Sequence, residues 1–277
     1  MHALQAPVVW NRQIAERTWQ IRLICPTIAQ QISPGQFVMV RLPDSTDPLL
    51  GRPFALYDCI ADDTGSYFAI DIVYLVVGKI TEKMTHLQPG NNLEIWGPLG
   101  KGFPLSQAWS VVNCVAGGIG QTPFLAYANE LLGQKAYAGR QRQQYTSAVR
   151  LYYGVRTAAY AAGINDFQNA GCEVHLATDD GSSGTTGRVT EILAQQQPEG
   201  LLVGCGPEPM LHALIGYANT RNQECYVSLE TPMACGFGVC FSCVTQVKTA
   251  TGWDYQRVCV DGPVFRADQL VLPGKTH

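Results

Sequence analysis

Cys235, Cys240 and Cys243 stand in one short loop sequence, Cys235-Gly236-Phe237-Gly238-Val239-Cys240-Phe241-Ser242-Cys243, and Cys259 follows further on. The C-x4-C-x2-C…C spacing is that of thiolates that ligate a [2Fe–2S] cluster, a one-electron carrier. A loop can present three sulfurs to a compact inorganic core only if its backbone turns sharply, and Gly236 and Gly238 permit this because glycine reaches positive φ at little cost. Two other readings compete, a structural zinc site and ordinary buried cysteines. Zinc ribbons usually carry two short C-x2–4-C knuckles, whereas here one knuckle sits inside a triplet and the fourth thiol stands alone.

Two glycine-rich turns carry a second chemistry. Gly117-Gly118-Ile119-Gly120-Gln121-Thr122-Pro123 lies between an apolar strand pattern and a helical one, where backbone N–H groups and a helix start hold a pyrophosphate. It is not a G-x-G-x-x-G fingerprint, and helix initiation alone accounts for part of it: Thr122 is expected to cap the helix and Pro123 to occupy its first turn. Gly204-Cys205-Gly206-Pro207-Glu208-Pro209-Met210 repeats the arrangement after another strand. Cys205 there either faces the reacting ring of a nicotinamide or is a buried thiol at a tight turn. In Arg52-Pro53-Phe54-Ala55-Leu56-Tyr57 an arginine suits a phosphate and an aromatic suits a flat ring, although Arg-Pro at a strand start is usually structural.

The elements that must position these residues divide the chain into three. Residues 1–104 read as short β-type runs between turns such as Pro34-Gly35 and Pro89-Gly90, an antiparallel barrel. Residues 105–222 alternate apolar strands at 110–116, 149–154, 173–177 and 200–204 with helical stretches at 123–132 and 209–219, the text of a doubly wound parallel sheet. A Gln/Arg-rich exposed loop is expected at 139–146. Residues 223–277 form a small cluster-binding unit. The fold class is therefore multidomain, β followed by α/β.

Composition narrows the partners. At 277 residues there is length for several cores, 46% of residues are apolar and only 15% are charged. A net charge of −3 and a pI near 5.9 leave no basic footprint for nucleic acid or an anionic membrane. The first residues lack the apolar core of a signal peptide and no run is long enough for a transmembrane helix, so a cytoplasmic location is expected. The remaining cysteines, Cys25, Cys59, Cys114, Cys172 and Cys225, are expected to be reduced, buried and inert.

Taken in order along nearly the whole chain, these motifs resemble the ferredoxin–NADP⁺ reductase superfamily, and within it the electron-transfer subunits of class 1B, NAD-dependent dihydroorotate dehydrogenases. Further stretches carry the resemblance: Val73-Tyr74-Leu75 with Gly78-Lys79-Ile80-Thr81, Gly97-Pro98-Leu99-Gly100-Lys101-Gly102-Phe103, Thr178-Asp179-Asp180-Gly181-Ser182, and Cys259-Val260-Asp261-Gly262-Pro263-Val264-Phe265. It implies FAD held by Arg52, Pro53, Phe54 and Ala55, by Val73, Tyr74 and Leu75, and by Ile80 and Thr81. It implies NAD at Gly117, Gly118, Gly120, Thr122, Cys205, Gly206 and Pro207, and a [2Fe–2S] cluster on Cys235, Cys240, Cys243 and Cys259. Ala55 replaces a usual serine, Leu75 a frequent arginine and Ile80 a frequent glycine, each removing a hydrogen-bond or close-approach option at the flavin. Small flavin subunits of NADH-dependent ferredoxin:NADP⁺ oxidoreductases share the architecture but commonly have aspartate where this chain has Cys235.

The implied partner is an FMN-containing catalytic subunit, in a heterotetramer of two of each chain, acting in pyrimidine synthesis. The cofactors carry the redox chemistry, so no catalytic side chain is assigned. Arg156, just after a strand, keeps NADP open beside NAD. The alternatives are a self-standing NAD(P)H-dependent reductase feeding an oxygenase or ferredoxin, and a non-catalytic assembly or electron-storage module.

Overall fold

The computed structural model describes residues 1–43 and 45–271. Its first unit is a curled antiparallel sheet made of β1 (His2–Ala15), β2 (Thr18–Ile24), β3 (Phe37–Arg41), β4 (Arg52–Ala55), β5 (Asp58–Ala61), β6 (Tyr67–Leu75) and β7 (Asn92–Leu99), with short helices α1 (Pro26–Ala29) and α2 (Lys79–Met84). The strand order is β4-β3-β7-β1-β2-β6-β5. Alternation along each strand sends Ala6, Val8, Ile21, Leu23, Val38, Val40, Leu93 and Ile95 into one apolar core. On β3 the same alternation turns Phe37 and Met39 to the opposite face, where they join a different core.

A bulge on β7 extends that second face. Phe37 pairs with Leu99 and Met39 with Trp96, so β7 carries one residue more than β3 between these pairs, at Gly97-Pro98. A bulge re-aims the side chains beyond it, and proline is tolerated there because no ladder N–H is lost. Leu99 thereby faces outward together with Trp96.

The second unit contains β8 (Val111–Gly117), α3 (Phe124–Leu131), β9 (Ala148–Val155), α4 (Ile164–Asn169), β10 (Glu173–Thr178), β11 (Thr185–Thr186), α5 (Val189–Gln196), β12 (Leu201–Cys205), α6 (Glu208–Thr220) and β13 (Cys225–Ser228). Its sheet runs β11-β10-β9-β8-β12-β13, all parallel, and β16 (Val264–Arg266) adds an antiparallel edge. Val112, Cys114 and Ala116 of β8 face α3 and α4, while Val115 faces the side packed by α5 and α6. Burial on both faces is why β8 and β12 read as continuous apolar runs. Strand order reverses between β8 and β12, which sets the Gly117–Pro123 and Gly206-Pro207 turns side by side at the sheet's carboxyl edge.

The segment expected as a separate unit from 223 shares its first strand, β13, and its late strand, β16, with this sheet. Between them lie the cysteine loop and the hairpin β14 (Val244–Thr249) and β15 (Gly252–Arg257). The outer face of the barrel packs here: Phe37, Met39 and Leu99 share a core with Met233, Cys243, Val258 and Cys259.

The barrel and the α/β unit are joined by polar contacts. Ala126 donates its N–H to the Tyr57 carbonyl at 3.1 Å, and Tyr137 donates to Asp58 Oδ1 at 2.7 Å, beside the Lys135–Asp58 pair. Phe103 packs on two rings of α3, Phe124 at 5.5 Å and Tyr127 at 4.7 Å between ring centres. In the 139–146 loop, Arg140 grips buried Glu130 at 2.7 and 2.8 Å and Ser33 Oγ at 3.0 Å, so this exposed segment is tied to both units.

One local expectation fails. Gly118–Gln121 forms a 3₁₀ turn and α3 begins only at Phe124, with Pro123 at its N-cap and no side-chain cap. Thr122 already has helical backbone angles, so its hydroxyl cannot reach back across the start of α3 as a capping side chain does.

Candidate electron-transfer site

A cleft of about 920 Å³ opens between the barrel and the α/β unit. Its barrel wall is Arg52, Pro53, Phe54 and Ala55 from β4, Val73, Tyr74 and Leu75 from β6, and Gly78 to Thr81 around the start of α2. Neighbouring strands cannot supply these three groups by direct pairing, since β4 and β6 lie far apart in the sheet order; curling of the sheet brings them together. Arg52 Nη1 donates to the carbonyls of Leu50 and Gly51 at 2.9 and 3.0 Å, which anchors the guanidinium at the rim. Lys79 pairs there with Asp47 at 2.8 Å. The Thr81 hydroxyl accepts from the N–H groups of Val77 and Gly78 at 3.0 and 3.2 Å and closes the turn before α2.

The aromatics divide their work. Phe54 lines the cleft, edge-on to Tyr74 at 6.2 Å. Tyr74 is buried and donates to Asn11 Oδ1 at 3.1 Å, with burial pushing its phenol up. Tyr57 is turned away from the cleft and buried against the α/β unit, so of the aromatics in the Arg52–Tyr57 run only Phe54 lines the cleft.

The opposite wall comes from Ile119, Thr122, Pro123, Cys205, Ser228 and the stretch Leu229 to Met233. Cys205 is buried on this side, and burial, reinforced by the Glu230 charge, drives its thiol upward. Thr231 brings a buried hydroxyl oxygen without a protein partner, Oγ1, to the same wall, the kind of group a polar ligand edge satisfies. Glu230 is reached by solvent through the cleft yet walled by protein, and this burial raises its carboxyl above the ordinary range. None of residues 228–233 carried a signal in the sequence beyond standing just before Cys235.

A second cavity of about 720 Å³ continues from the first, sharing Leu75, Val77, Ile119 and Glu230 with it. Gly117, Gly118, Gly206 and Pro207 form its floor, and Arg17, Arg156, Arg188 and Asp179 stand around it. Gly118 has φ +55° with open space where a side chain would be, so the backbone itself faces the ligand volume. Gly120 serves a different end: it abuts the Cys205 carbonyl and lets the two turns pack together. Both cavities lie in the size range of ligand sites. A flat redox ring in the first and a nicotinamide in the second would meet at the shared residues.

The four motif cysteines are neighbours in two pairs, Cys240 beside Cys235 and Cys259 beside Cys243, with Cys235 also near Cys259. Among the described residues no three His, Cys, Asp or Glu side chains converge as around a single ion. Two pairs suit two irons, each taking two thiolates, better than one tetrahedral centre. Cys240 is drawn down to about 6, first by the Ser242 hydroxyl at 3.1 Å, whereas burial pushes Cys259 up to about 12. The other cysteines, including Cys25, Cys59, Cys114, Cys172 and Cys225, are buried, and desolvation raises each thiol. Pro232 and Met233, on the wall of the first cleft, precede Cys235 by only a few residues. The cluster loop is thus a continuation of that wall.

The profile of the iron–sulfur cluster binding domain of dihydroorotate dehydrogenase B matches residues 230–271, and that of the oxidoreductase FAD-binding domain matches residues 5–103. The dihydroorotate dehydrogenase B (NAD(+)) electron transfer subunit of Geobacillus thermodenitrificans is 39% identical over 96% of this chain and 97% of its own. The subunit of the same description from Bacillus caldolyticus is 40% identical over the same shares. The chain belongs to the dihydroorotate dehydrogenase B electron transfer subunit family. Among solved structures, the NADH-dependent reduced ferredoxin–NADP oxidoreductase superposes with a TM-score of 0.80 at 24% identity, over 96% of this chain and 89% of that one. An Amycolatopsis cytochrome P450 reductase gives 0.62 at 22% over 79% and 66%. These two likenesses concern the fold, and the family membership explains why its three ligand-binding parts follow one another in this order.

Proposed function

We propose that this chain is the electron-transfer subunit that carries electrons from the FMN of a dihydroorotate dehydrogenase catalytic subunit through a [2Fe–2S] cluster and FAD to NAD⁺, in pyrimidine synthesis. The observation that supports the reading is the continuity of two cavities, with the stretch that lines the first running on in sequence into the cysteine loop. Bound FAD supplies the exchange between a two-electron hydride carrier and a one-electron cluster.

The residues do the rest. Arg52 and Lys79 offer cationic partners to the cofactor's phosphates, Phe54 packs its edge, and the Thr231 hydroxyl stands free for the polar side of its ring. Gly117, Gly118, Gly206 and Pro207 let backbone approach the dinucleotide, while Arg156 and Arg188 balance its phosphates. Leu75, Val77 and Ile119 give the meeting point of the two cavities apolar side chains for flat rings to pack on, beside the Glu230 carboxyl. Cys235, Cys240, Cys243 and Cys259 would hold the cluster.

The partner would dock over the cluster loop. Phe237, Val239 and Phe241 are 45%, 72% and 60% exposed around exposed Cys240, an apolar patch at the point where electrons must enter. We place the chain in a heterotetramer of two of each subunit. No helix among the described residues is long and apolar enough to cross a membrane, and we place the complex in the cytoplasm.

The test is the visible spectrum of the purified chain before and after anaerobic NADH, compared with NADPH. Flavin and iron–sulfur bands that both bleach with NADH are expected. Cys240→Ala should lose the cluster bands and electron transfer to the catalytic subunit while its flavin still bleaches. A parent chain that binds neither chromophore refutes the relay.

A further inference from the structure

On the outer face of the barrel, the Trp96 indole Nε1–H donates to the backbone carbonyl of Cys235 at 2.8 Å. This bond spans 139 residues of sequence and joins a barrel strand to the first cysteine of the cluster loop. Beside it, Gly236 has φ +80°, and a β-carbon there would lie 2.5 Å from Met39 Cγ and 3.1 Å from Leu99 Cδ1. The loop therefore lies directly on Met39 and Leu99, the residues that β3 alternation and the β7 bulge turn outward.

The same strands carry the flavin cleft. Met39 is register partner to Trp96 on one side and to Pro53 on the other, and Pro53 lines the cleft. Cys235, Trp96, Met39 and Pro53 thus form a lateral path of one hydrogen bond and two strand pairings. The Cys259 side is held separately: Lys101 donates its N–H to the Gly262 carbonyl at 2.5 Å, and Leu229 to that of Pro263 at 2.9 Å. The hydrogen bond from Trp96 accordingly acts on the Cys235 end of the loop, while the Cys259 end has backbone anchors of its own.

We infer that Trp96 is a positioning residue for electron transfer: its hydrogen bond seats the Cys235 half of the cluster loop on the flavin barrel and fixes the gap that single electrons cross. This rests on the relay proposed above. Tunnelling falls off steeply with distance, so an unseated loop slows transfer while leaving the flavin cleft and the set of four thiols unchanged. A neutral hydrogen bond contributes about 1 kcal/mol net, or about a fivefold change in how often the loop lifts.

The experiment mixes the chain anaerobically with NADH in a stopped-flow instrument. NADH gives a hydride to the flavin, which then passes one electron to the oxidised cluster, and the two bleaching phases are read separately. In Trp96→Phe the flavin phase should be unchanged and the cluster phase slower, by at most about fivefold because transfer scales with the seated fraction. The EPR signal of the reduced cluster should shift, and hydrogen exchange should rise by about the same factor in 234–241 but not in 258–263. A cluster phase and EPR signal equal to the parent's overturn the inference. If Trp96→Phe does not fold, β-(3-benzothienyl)alanine at position 96 keeps the shape and removes only the N–H. With that analogue, slower cluster reduction supports the role and parental kinetics overturn it. A parent chain whose cluster NADH cannot reduce refutes the relay itself, and this role with it.

Discussion

The Tyr57 hydroxyl donates to Asp166 Oδ2 at 2.6 Å, joining the end of the barrel's flavin turn to α4 of the α/β unit. Burial, with Asp166 close by, lifts the phenol far above its ordinary range, so the bond is made by a neutral hydroxyl at all physiological pH. Tyr57→Phe keeps the ring and leaves the carboxylate without this donor, which should cost about 1.5–3 kcal/mol. For a chain of this size that lowers Tm by a few degrees. Calorimetry of the flavin-loaded protein measures it, and an unchanged Tm would mean that water replaces the hydroxyl.

Gly236 sits at positive φ directly on Met39. Gly236→Ala adds strain of about 1 kcal/mol or more from the left-handed backbone, and a clash with Met39 besides. The expected result is a loss of iron and sulfide per chain with FAD retained, measured by metal analysis against flavin absorbance. Equal loss of FAD would show that the loop and the flavin cleft fold as one.

Arg257 places a permanent positive charge against the cluster loop. Its guanidinium lies 5.5 Å from the Phe241 ring centre and donates to the Gly238 carbonyl at 3.4 Å, while Asp261 at 3.3 Å offsets part of the charge. Positive charge favours the reduced cluster, so Arg257→Met should lower its midpoint potential by some tens of mV. An EPR-monitored redox titration decides the sign, and an upward shift would contradict this account.

Glu230, on the wall between the two cavities, has its carboxyl raised by burial. The unfolded chain then releases this proton at lower pH than the folded one. The resulting penalty is absent in acid, grows as pH rises past the ordinary carboxylate value, and levels off above the raised one. Glu230→Gln should therefore match the parent in Tm near the acid limit and exceed it slightly at neutral pH, the gain being small because solvent reaches the group. A gain confined to acid pH would reverse the assignment.

Much of the site was legible in the chain, for identifiable reasons. Cysteine spacing and the glycine turns are short-range signals, because ligation and tight turns act over a few residues, and the parallel strands announced themselves by burial on both faces. The start of α3 lies later than its local residues imply, because a 3₁₀ turn absorbs the residues expected to cap it. Tyr57 gave no local hint of its partner, because Asp166 lies 109 positions away.

By itself, then, the sequence determined the order of the three ligand-binding parts, the thiol set and the strand-to-helix turns, all written in local spacing. Only the tertiary structure decided how they meet. Strand reversal between β8 and β12, the curl that brings β4 to β6, and the bulge at Gly97-Pro98 arise from pairing between segments distant in sequence. They make Trp96 and Met39 the seat of a loop that no nearby residue could have foretold.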